Sequence, residues 1–177
     1  GCMNLTCYII DDEPLAIEVI ENHVSKIDGL EVVATFQNAV KAFQALRETK
    51  VDVLFLDIQM PRLTGIEFLK TLKNPPKVIF TTAYREYALE GFELDVVDYL
   101  LKPISFNRFL KAVDKVFDSL EPSIPALEFI PESPHNPHFV FVPSEKKNIK
   151  VCLDEIEYIE SKRDYILIKT TKKEVFT

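Results

Sequence analysis

Glycine and cysteine are scarce in this sequence. Only four of its 177 residues are glycine, at positions 1, 29, 65 and 91. These positions cannot produce G-x-G-x-x-G or G-x-x-x-x-G-K-[ST], so the Rossmann dinucleotide site and the P-loop nucleotide site are both excluded. The three cysteines, Cys2, Cys7 and Cys152, provide neither a disulfide framework nor the spacing of a metal site.

Long apolar runs are also missing. Val53–Leu56 and Phe139–Val142 are each four residues long, whereas a membrane-spanning helix needs roughly 20. The N-terminus has no basic region followed by a long apolar stretch, which is the pattern of a secretory signal. We therefore expect a cytoplasmic protein with no membrane segment.

The charge is unevenly distributed along the chain. The net charge is −7, which argues against a protein that coats nucleic acid uniformly. Residues 138–177 contain eight Lys/Arg and seven Asp/Glu, and the residues before them contain 13 basic and 21 acidic side chains. The two parts are thus expected to face different partners.

The first 120 residues alternate short apolar runs with amphipathic segments. The runs, rich in Val, Ile, Leu, Phe and Tyr, predict strands at Leu5–Ile10, Leu30–Phe36, Asp52–Leu56, Lys77–Thr82 and Val96–Leu100. Helical spacing predicts helices at Pro14–Lys26, Ala39–Glu48, Leu63–Lys73, Tyr84–Gly91 and Phe106–Leu120. This alternation predicts an α/β domain at residues 4–120, a doubly wound five-stranded parallel sheet covered by helices on both faces.

The pattern changes after residue 120. Five of the eleven prolines lie between residues 121 and 137, which predicts a semi-rigid linker. In residues 138–177 the apolar period becomes two, as in Ile149, Val151 and Leu153, and this predicts a second, β-rich domain that is short.

Polar side chains follow the predicted parallel strands at their carboxyl ends, where open α/β sheets bind ligands. Asp11 and Asp12 follow the first strand and Asp57 follows the third. Thr82 ends the fourth strand and Lys102 follows the fifth. Convergent carboxylates suit Mg²⁺, and a carboxylate beside such a metal can act as a nucleophile that forms an aspartyl-phosphate. Taken singly, the same residues have ordinary alternatives: helix caps for the Asp11–Asp12 pair and Thr82, a turn for Asp57, and a solvated strand end for Lys102.

Four segments together resemble the receiver domain of bacterial two-component response regulators. They are Ile9–Glu13, Leu56–Pro61 with Gly65, Thr81–Ala83 and Asp98–Pro103, in the family's order and spacing. The resemblance implies the strand order 2-1-3-4-5 and a cis Lys102–Pro103 bond. It also implies that a histidine kinase phosphorylates Asp57.

The same resemblance gives roles to the other site residues. Asp12 and Asp57 would bind Mg²⁺ directly, Asp11 through water, and Gln59 through its main-chain carbonyl. Thr82 and Lys102 would sense the phosphoryl group. Tyr99 would be the aromatic switch, and its alternative is a half-buried strand tyrosine.

The run from Thr81 to Phe92 is similar to receivers that are joined to LytTR-type DNA-binding domains, and Asp154–Ser161 resembles the start of that domain. The match covers less than half of the LytTR domain, so residues 138–177 are expected to be its N-terminal part. Lys162, Arg163 and Tyr165 would lie in a loop that can approach DNA. Their alternative is an ordinary solvated hairpin.

The predicted function is that of a transcriptional regulator, not an enzyme. Phosphorylation would favour a homodimer that presents paired output domains to promoter DNA. Two other classes remain. One is an aspartyl-phosphate phosphatase similar to the haloacid dehalogenases, which would need a second acid where Gln59 stands. The other is a receiver whose output is protein binding.

Overall fold

The computed structural model describes residues 3–90, 94–120, 139–144, 147–161 and 165–177. The chain divides into two compact units. The larger comprises Asn4–Val24 and Leu30–Ser119, and the smaller includes the strands that follow residue 138. The predicted linker, 121–137, lies outside the described residues.

The larger unit is built on a parallel sheet of five strands. These are β1 (Leu5–Ile10), β2 (Leu30–Phe36), β3 (Val53–Asp57), β4 (Lys77–Thr82) and β5 (Asp98–Leu101), in the order β2-β1-β3-β4-β5. Every pairing between neighbours is parallel. The predicted doubly wound fold and its strand order are confirmed.

Five helices cover the two faces of this sheet: α1 (Pro14–Ser25), α2 (Ala39–Glu48), α3 (Gly65–Thr71), α4 (Arg85–Glu90) and α5 (Phe106–Leu120). On one face, Leu54 and Leu56 pack in a cluster with Ala42 of α2 and Phe68 of α3. On the other face, the Phe55 ring stacks on Phe109 of α5 with 5.2 Å between centroids. Both faces of β3 are therefore buried, which is why its sequence is a continuous apolar run.

Several boundaries differ from the sequence prediction by one or two residues, and those of α3 and β5 differ most. Helix α3 begins at Gly65 and not at Leu63, because Thr64 caps it. The Thr64 hydroxyl accepts from the Glu67 N–H at 3.1 Å, and the Glu67 carboxylate accepts from the Thr64 N–H at 2.9 Å. Strand β5 begins at Asp98, two residues later than predicted, although the Val97 N–H already donates to the Val78 carbonyl at 2.8 Å.

The strands of the smaller unit pair in antiparallel fashion. Strands β6 (Phe139–Ser144) and β7 (Lys147–Cys152) form a hairpin, and β8 (Ile156–Ser161), β9 (Ile166–Thr170) and β10 (Glu174–Phe176) form a three-stranded sheet in the order β10-β9-β8. Its core contains Val142, Val151, Ile168 and Val175. The predicted β-rich second domain is confirmed. Across the described residues, no helix has the length and apolarity needed to cross a membrane.

Candidate functional site

Three carboxylates converge at the carboxyl edge of the parallel sheet. Asp11 directly follows β1 and Asp57 ends β3, and these strands are neighbours in register with Ile10 opposite Leu56. One oxygen from each of Asp11, Asp12 and Asp57 lies within 4.8 Å of the other two. Asp11 and Asp57 are buried, and Asp12 is half-buried.

The ammonium group of Lys102 faces this cluster. The Nζ of Lys102 lies 2.8 Å from Asp11 Oδ2, 3.5 Å from Asp57 Oδ1 and 3.7 Å from Glu13 Oε1. Burial by itself would lower the pKa of Lys102, but the hydrogen bond to Asp11 and the nearby carboxylates outweigh burial and raise it. Lys102 therefore stays protonated. The Lys102–Pro103 peptide bond is cis, as the resemblance implied.

The site is short of positive charge. Burial, and then the charge of Asp11, raise the pKa of Asp57 to about 7, against the opposing effects of Lys102 and the Gln59 backbone N–H. Burial also raises the pKa of Asp11. With all three carboxylates ionised, two of them no more than 4.8 Å apart repel by at least about 3.5 kcal/mol at an effective dielectric constant near 20.

These residues fit a magnesium ion. Three carboxylates and one ammonium carry a net charge of −2, which a divalent cation balances. Carboxylate oxygens are the hard ligands that Mg²⁺ prefers, and its remaining positions are usually filled by water and phosphate oxygens. Gln59, the further predicted ligand, is half-buried two residues after Asp57, and its N–H donates to the Asp57 carboxylate.

Thr82 lies on β4, the strand next to that of Asp57, and Tyr99 lies on β5, one strand further out. Strand β4 pairs Asp57 with Thr81, so Thr82 is one residue closer to the carboxyl edge. The buried Thr82 hydroxyl accepts from the Tyr84 N–H at 3.1 Å. Tyr99 is half-buried on β5, its ring lies 5.5 Å from that of Phe80, and burial raises its pKa.

Three residues that the sequence analysis gave no site role also shape the site. Glu13 reaches the Lys102 ammonium, and its N–H donates to Asp11 Oδ1 at 2.9 Å. Gly65 lies against the backbone of Asp57: a Cβ at this position would be 2.2 Å from the Asp57 carbonyl oxygen. Glu13 belongs to the segment Ile9–Glu13, and Gly65 belongs to the segment Leu56–Pro61 with Gly65, so the motifs in the sequence already contain both residues. The close approach of Gly65 depends on the packing of α3.

Asp98 is the third such residue, and it links β5 to α5. Its two oxygens accept from the Arg108 guanidinium at 2.8 and 2.6 Å, and Lys115 Nζ lies 2.9 Å away. Arg108 also donates to the Tyr99 carbonyl at 3.0 Å. Burial alone would raise the pKa of Asp98, but the hydrogen bonds from Arg108 and Lys115 hold it below its usual value.

We predict that Gly65→Ala lowers the free energy of unfolding by about 1–3 kcal/mol, because the added methyl group displaces either α3 or the Asp57 backbone. Urea unfolding followed by circular dichroism measures the change. Lys70→Ala, at an exposed position of the same helix, is the control and should alter the value by less than about 0.5 kcal/mol. Equal stability of Gly65→Ala and the original chain would contradict the close approach.

A second prediction concerns pH. The Asp57 pKa rises from 3.8 to about 7 on folding, so the stability that its protonated form contributes is present in acid and is lost as pH rises through about 7. In metal-free buffer, Asp57→Asn should therefore be more stable than the original chain above pH 7, by up to about 4 kcal/mol. This advantage should shrink toward zero near pH 4, at the unfolded-state pKa.

Urea unfolding over a pH series in the presence of a chelator measures this difference. Asp118→Asn, which removes an exposed carboxylate of α5, is the control and should show no comparable pH-dependent gain. A constant difference between Asp57→Asn and the original chain from acid to neutral pH would show that Asp57 titrates normally.

Known proteins resemble this chain along most of its length. The family model for the response regulator receiver domain matches residues 7–114. An uncharacterized response regulatory protein of Yersinia pestis is 36% identical over 183 aligned positions, covering 98% of this chain and 72% of that protein. The transcriptional regulatory protein BtsR of Salmonella typhi is 34% identical over 172 positions, covering 96% and 71%.

A solved structure agrees with these matches. The REC domain of AraT, a response regulator from Geobacillus stearothermophilus, is 35% identical with a TM-score of 0.59, and the match covers 67% of this chain and 96% of that one. The family match spans more than half of the chain, and it coincides with the sheet that carries the acidic cluster. The protein therefore belongs to the response regulators of two-component systems, and its larger unit is their receiver domain.

Proposed function

We propose that this protein is a transcriptional regulator switched by Mg²⁺-dependent phosphorylation of Asp57. The observation that carries the proposal is the buried Asp57 carboxylate, with two acidic neighbours within 4.8 Å and the Lys102 ammonium 3.5 Å away. The phosphoryl donor is a partner histidine kinase, as the receiver family implies. The site lies in the domain formed by residues 4–120. In this proposal residues 121–137 are the linker and residues 138–177 belong to the output domain. The regulator acts in the cytoplasm.

The metal ligands in this proposal are those that the family resemblance implies. Asp12 and Asp57 would hold Mg²⁺ directly, Asp11 would do so through water, and Gln59 would do so through its main-chain carbonyl. When bound, Mg²⁺ supplies positive charge against the carboxylates and the phosphoryl oxygens. The net charge of −2 on the three carboxylates and Lys102 supports a divalent ion.

In the transfer step, an oxygen of the Asp57 carboxylate attacks phosphorus. The phosphorus–nitrogen bond of the kinase phosphohistidine breaks, its electron pair remains on the imidazole nitrogen, and an acyl phosphate forms on Asp57. Lys102 binds a phosphoryl oxygen as a point charge, and its contact with Asp11 orients it for this. Asp57 is only 2% exposed, which limits access of water to the acyl phosphate.

The phosphoryl group then changes the side-chain contacts of β4 and β5. The Thr82 hydroxyl exchanges its contact with the Tyr84 N–H for one with a phosphoryl oxygen, and Tyr99 turns inward as Thr82 moves. Reversing a 1:99 population requires about 5.5 kcal/mol of differential stabilisation. A few charge-assisted hydrogen bonds are of this order. The active arrangement of α4, β5 and α5 favours a homodimer.

The output in this proposal is promoter binding by a LytTR-type domain that includes the smaller unit. Tyr165, one of the predicted DNA contacts, is 42% exposed and its ring lies 5.5 Å from that of Phe176. The other two, Lys162 and Arg163, lie outside the described residues. The name of the Salmonella typhi relative, a transcriptional regulatory protein, supports this output over protein binding alone. A phosphatase function lacks support, because Gln59 occupies the place of the second acid.

We predict that incubation with acetyl phosphate and Mg²⁺ adds one phosphate to this chain, because Asp57 is the nucleophile. The adduct should be absent from Asp57→Asn and from a metal-free sample. Intact-mass spectrometry measures the adduct. Asp118→Asn is the matched control, since it removes an exposed carboxylate and should retain the phosphate.

An adduct on Asp57→Asn would contradict the assignment of the nucleophile. If acetyl phosphate gives no adduct on the original chain, transfer from a phosphorylated kinase separates a donor-selective receiver from an inactive one. Light scattering on the same samples tests the dimer: phosphorylation should increase the mass of the original chain and leave Asp57→Asn unchanged.

DNA binding gives a further prediction. The phosphorylated full-length protein should select a common sequence from a random duplex library at a stated salt concentration. Replacing Lys162, Arg163 and Tyr165 together with Ala should weaken binding and reduce the slope of log K against log salt by about 2, because two cations are lost. Lys111→Ala, on α5, is the control. Failure to select any sequence would favour an output through protein binding.

A further inference from the structure

A separate cavity of about 610 Å³ lies in the receiver domain, at the edge of the sheet opposite Asp57. Residues from the ends of α2 and α3 and from the segments that lead into β3 and β4 line it. Because β3 starts beside this cavity and ends at Asp57, the two sites lie at opposite ends of one strand. A volume of this size suits a small organic ligand.

The cavity has an apolar wall. Phe43 and Leu46 of α2, Val51, and the segment around Leu72 and Pro76 contribute to it. Phe43 is 37% exposed, and Val40, one turn earlier on the same helix face, is 65% exposed. Apolar surface thus continues from the cavity along α2.

All the charged side chains that line the cavity are basic. Arg47, Lys50 and Lys73 line the cavity, and none of its lining residues is Asp or Glu. Within the described part of the chain, none of these three cations takes part in an ion pair. Three cations without an acid contrast with the net charge of −7 of the whole chain.

The helix dipoles oppose this positive charge without cancelling it. Helices α2 and α3 both end at the cavity, and each C-terminus carries about half a negative charge. The two ends together contribute roughly −1 against the +3 of the side chains, so the cavity remains positive. Stabilisation of the helix ends therefore accounts for only part of the basic cluster.

We propose that this cavity binds a small organic anion with an apolar body. The anionic group, a carboxylate or phosphate, binds among Arg47, Lys50 and Lys73. The apolar body packs against Phe43 and Leu72. An inorganic anion would leave the apolar wall in contact with water, and a neutral apolar ligand would leave the cations uncompensated. The lining therefore selects for both features in one molecule.

Nitrogen–proton correlation NMR of the uniformly labelled chain tests the proposal, with naphthalene-2-carboxylate as probe. We expect saturable shift changes at the amides of Thr71, Leu72 and Asn74, which line the cavity. Naphthalene-2-carboxamide, the neutral analogue, and inorganic phosphate should each bind at least tenfold more weakly. Increasing salt should weaken binding of the acid and leave that of the amide unchanged.

The variant Arg47→Gln/Lys50→Gln/Lys73→Gln should lose at least tenfold in affinity for the acid and retain its affinity for the amide. Its matched control, Lys41→Gln/Lys70→Gln/Lys111→Gln, removes the same charge at exposed positions outside the cavity and should bind as the original chain does. Phe43→Ser should weaken both probes. Each spectrum also reports whether the variant is folded.

Three results would overturn the proposal. The first is the absence of saturable shifts at the cavity amides with millimolar acid. The second is equal affinity for the acid and the amide, which would remove the role of the cations. The third is equal affinity for phosphate and the acid, which would remove the role of the apolar wall.

Discussion

The receiver domain is organised around three carboxylates held beside one half-buried ammonium, an arrangement that is costly without a bound cation. Asp11 and Asp57 leave adjacent central strands whose other residues are almost fully buried, so neither carboxylate can retreat into water. Their repulsion is expressed in the raised pKa of Asp57. Only added positive charge or protonation relieves it, and this makes the folded domain responsive to what binds at the strand ends.

The sequence predicts the sheet and most of this site because both follow from short-range patterns. Strand β3 is a continuous apolar run, and once it is placed, Asp57 must lie at the same edge as Asp11 and Lys102. Contacts between different helices and strands cannot be predicted in this way, because no short-range sequence pattern marks them. The pairing of Asp98 with Arg108 and the approach of Gly65 to Asp57 depend on how helices pack. The start of α3 was misplaced because Leu63 fits the apolar period, while the Thr64 cap decides the boundary.

Charge of opposite sign is separated along the length of β3. The carboxyl edge carries Asp11, Asp12 and Asp57, and the opposite edge carries a basic cavity. A strand of five residues spans only about 17 Å, which is roughly twice the screening length at physiological salt. Each edge therefore presents its own field to approaching ions. The acidic edge attracts cations and the basic edge attracts anions, although the net charge of the chain is negative.

Asp98 joins strand β5 to helix α5 through charged bonds. Its carboxylate is joined to Arg108 and Lys115 on α5, and Arg108 also binds the carbonyl of Tyr99 on β5. Strand β5 and helix α5 are thus joined by directional, partly buried bonds between charged groups. Apolar contact alone would fix their relative position less firmly. A displacement of the Tyr99 backbone would therefore be transmitted to the first turn of α5, because Arg108 of α5 binds both Asp98 and the Tyr99 carbonyl.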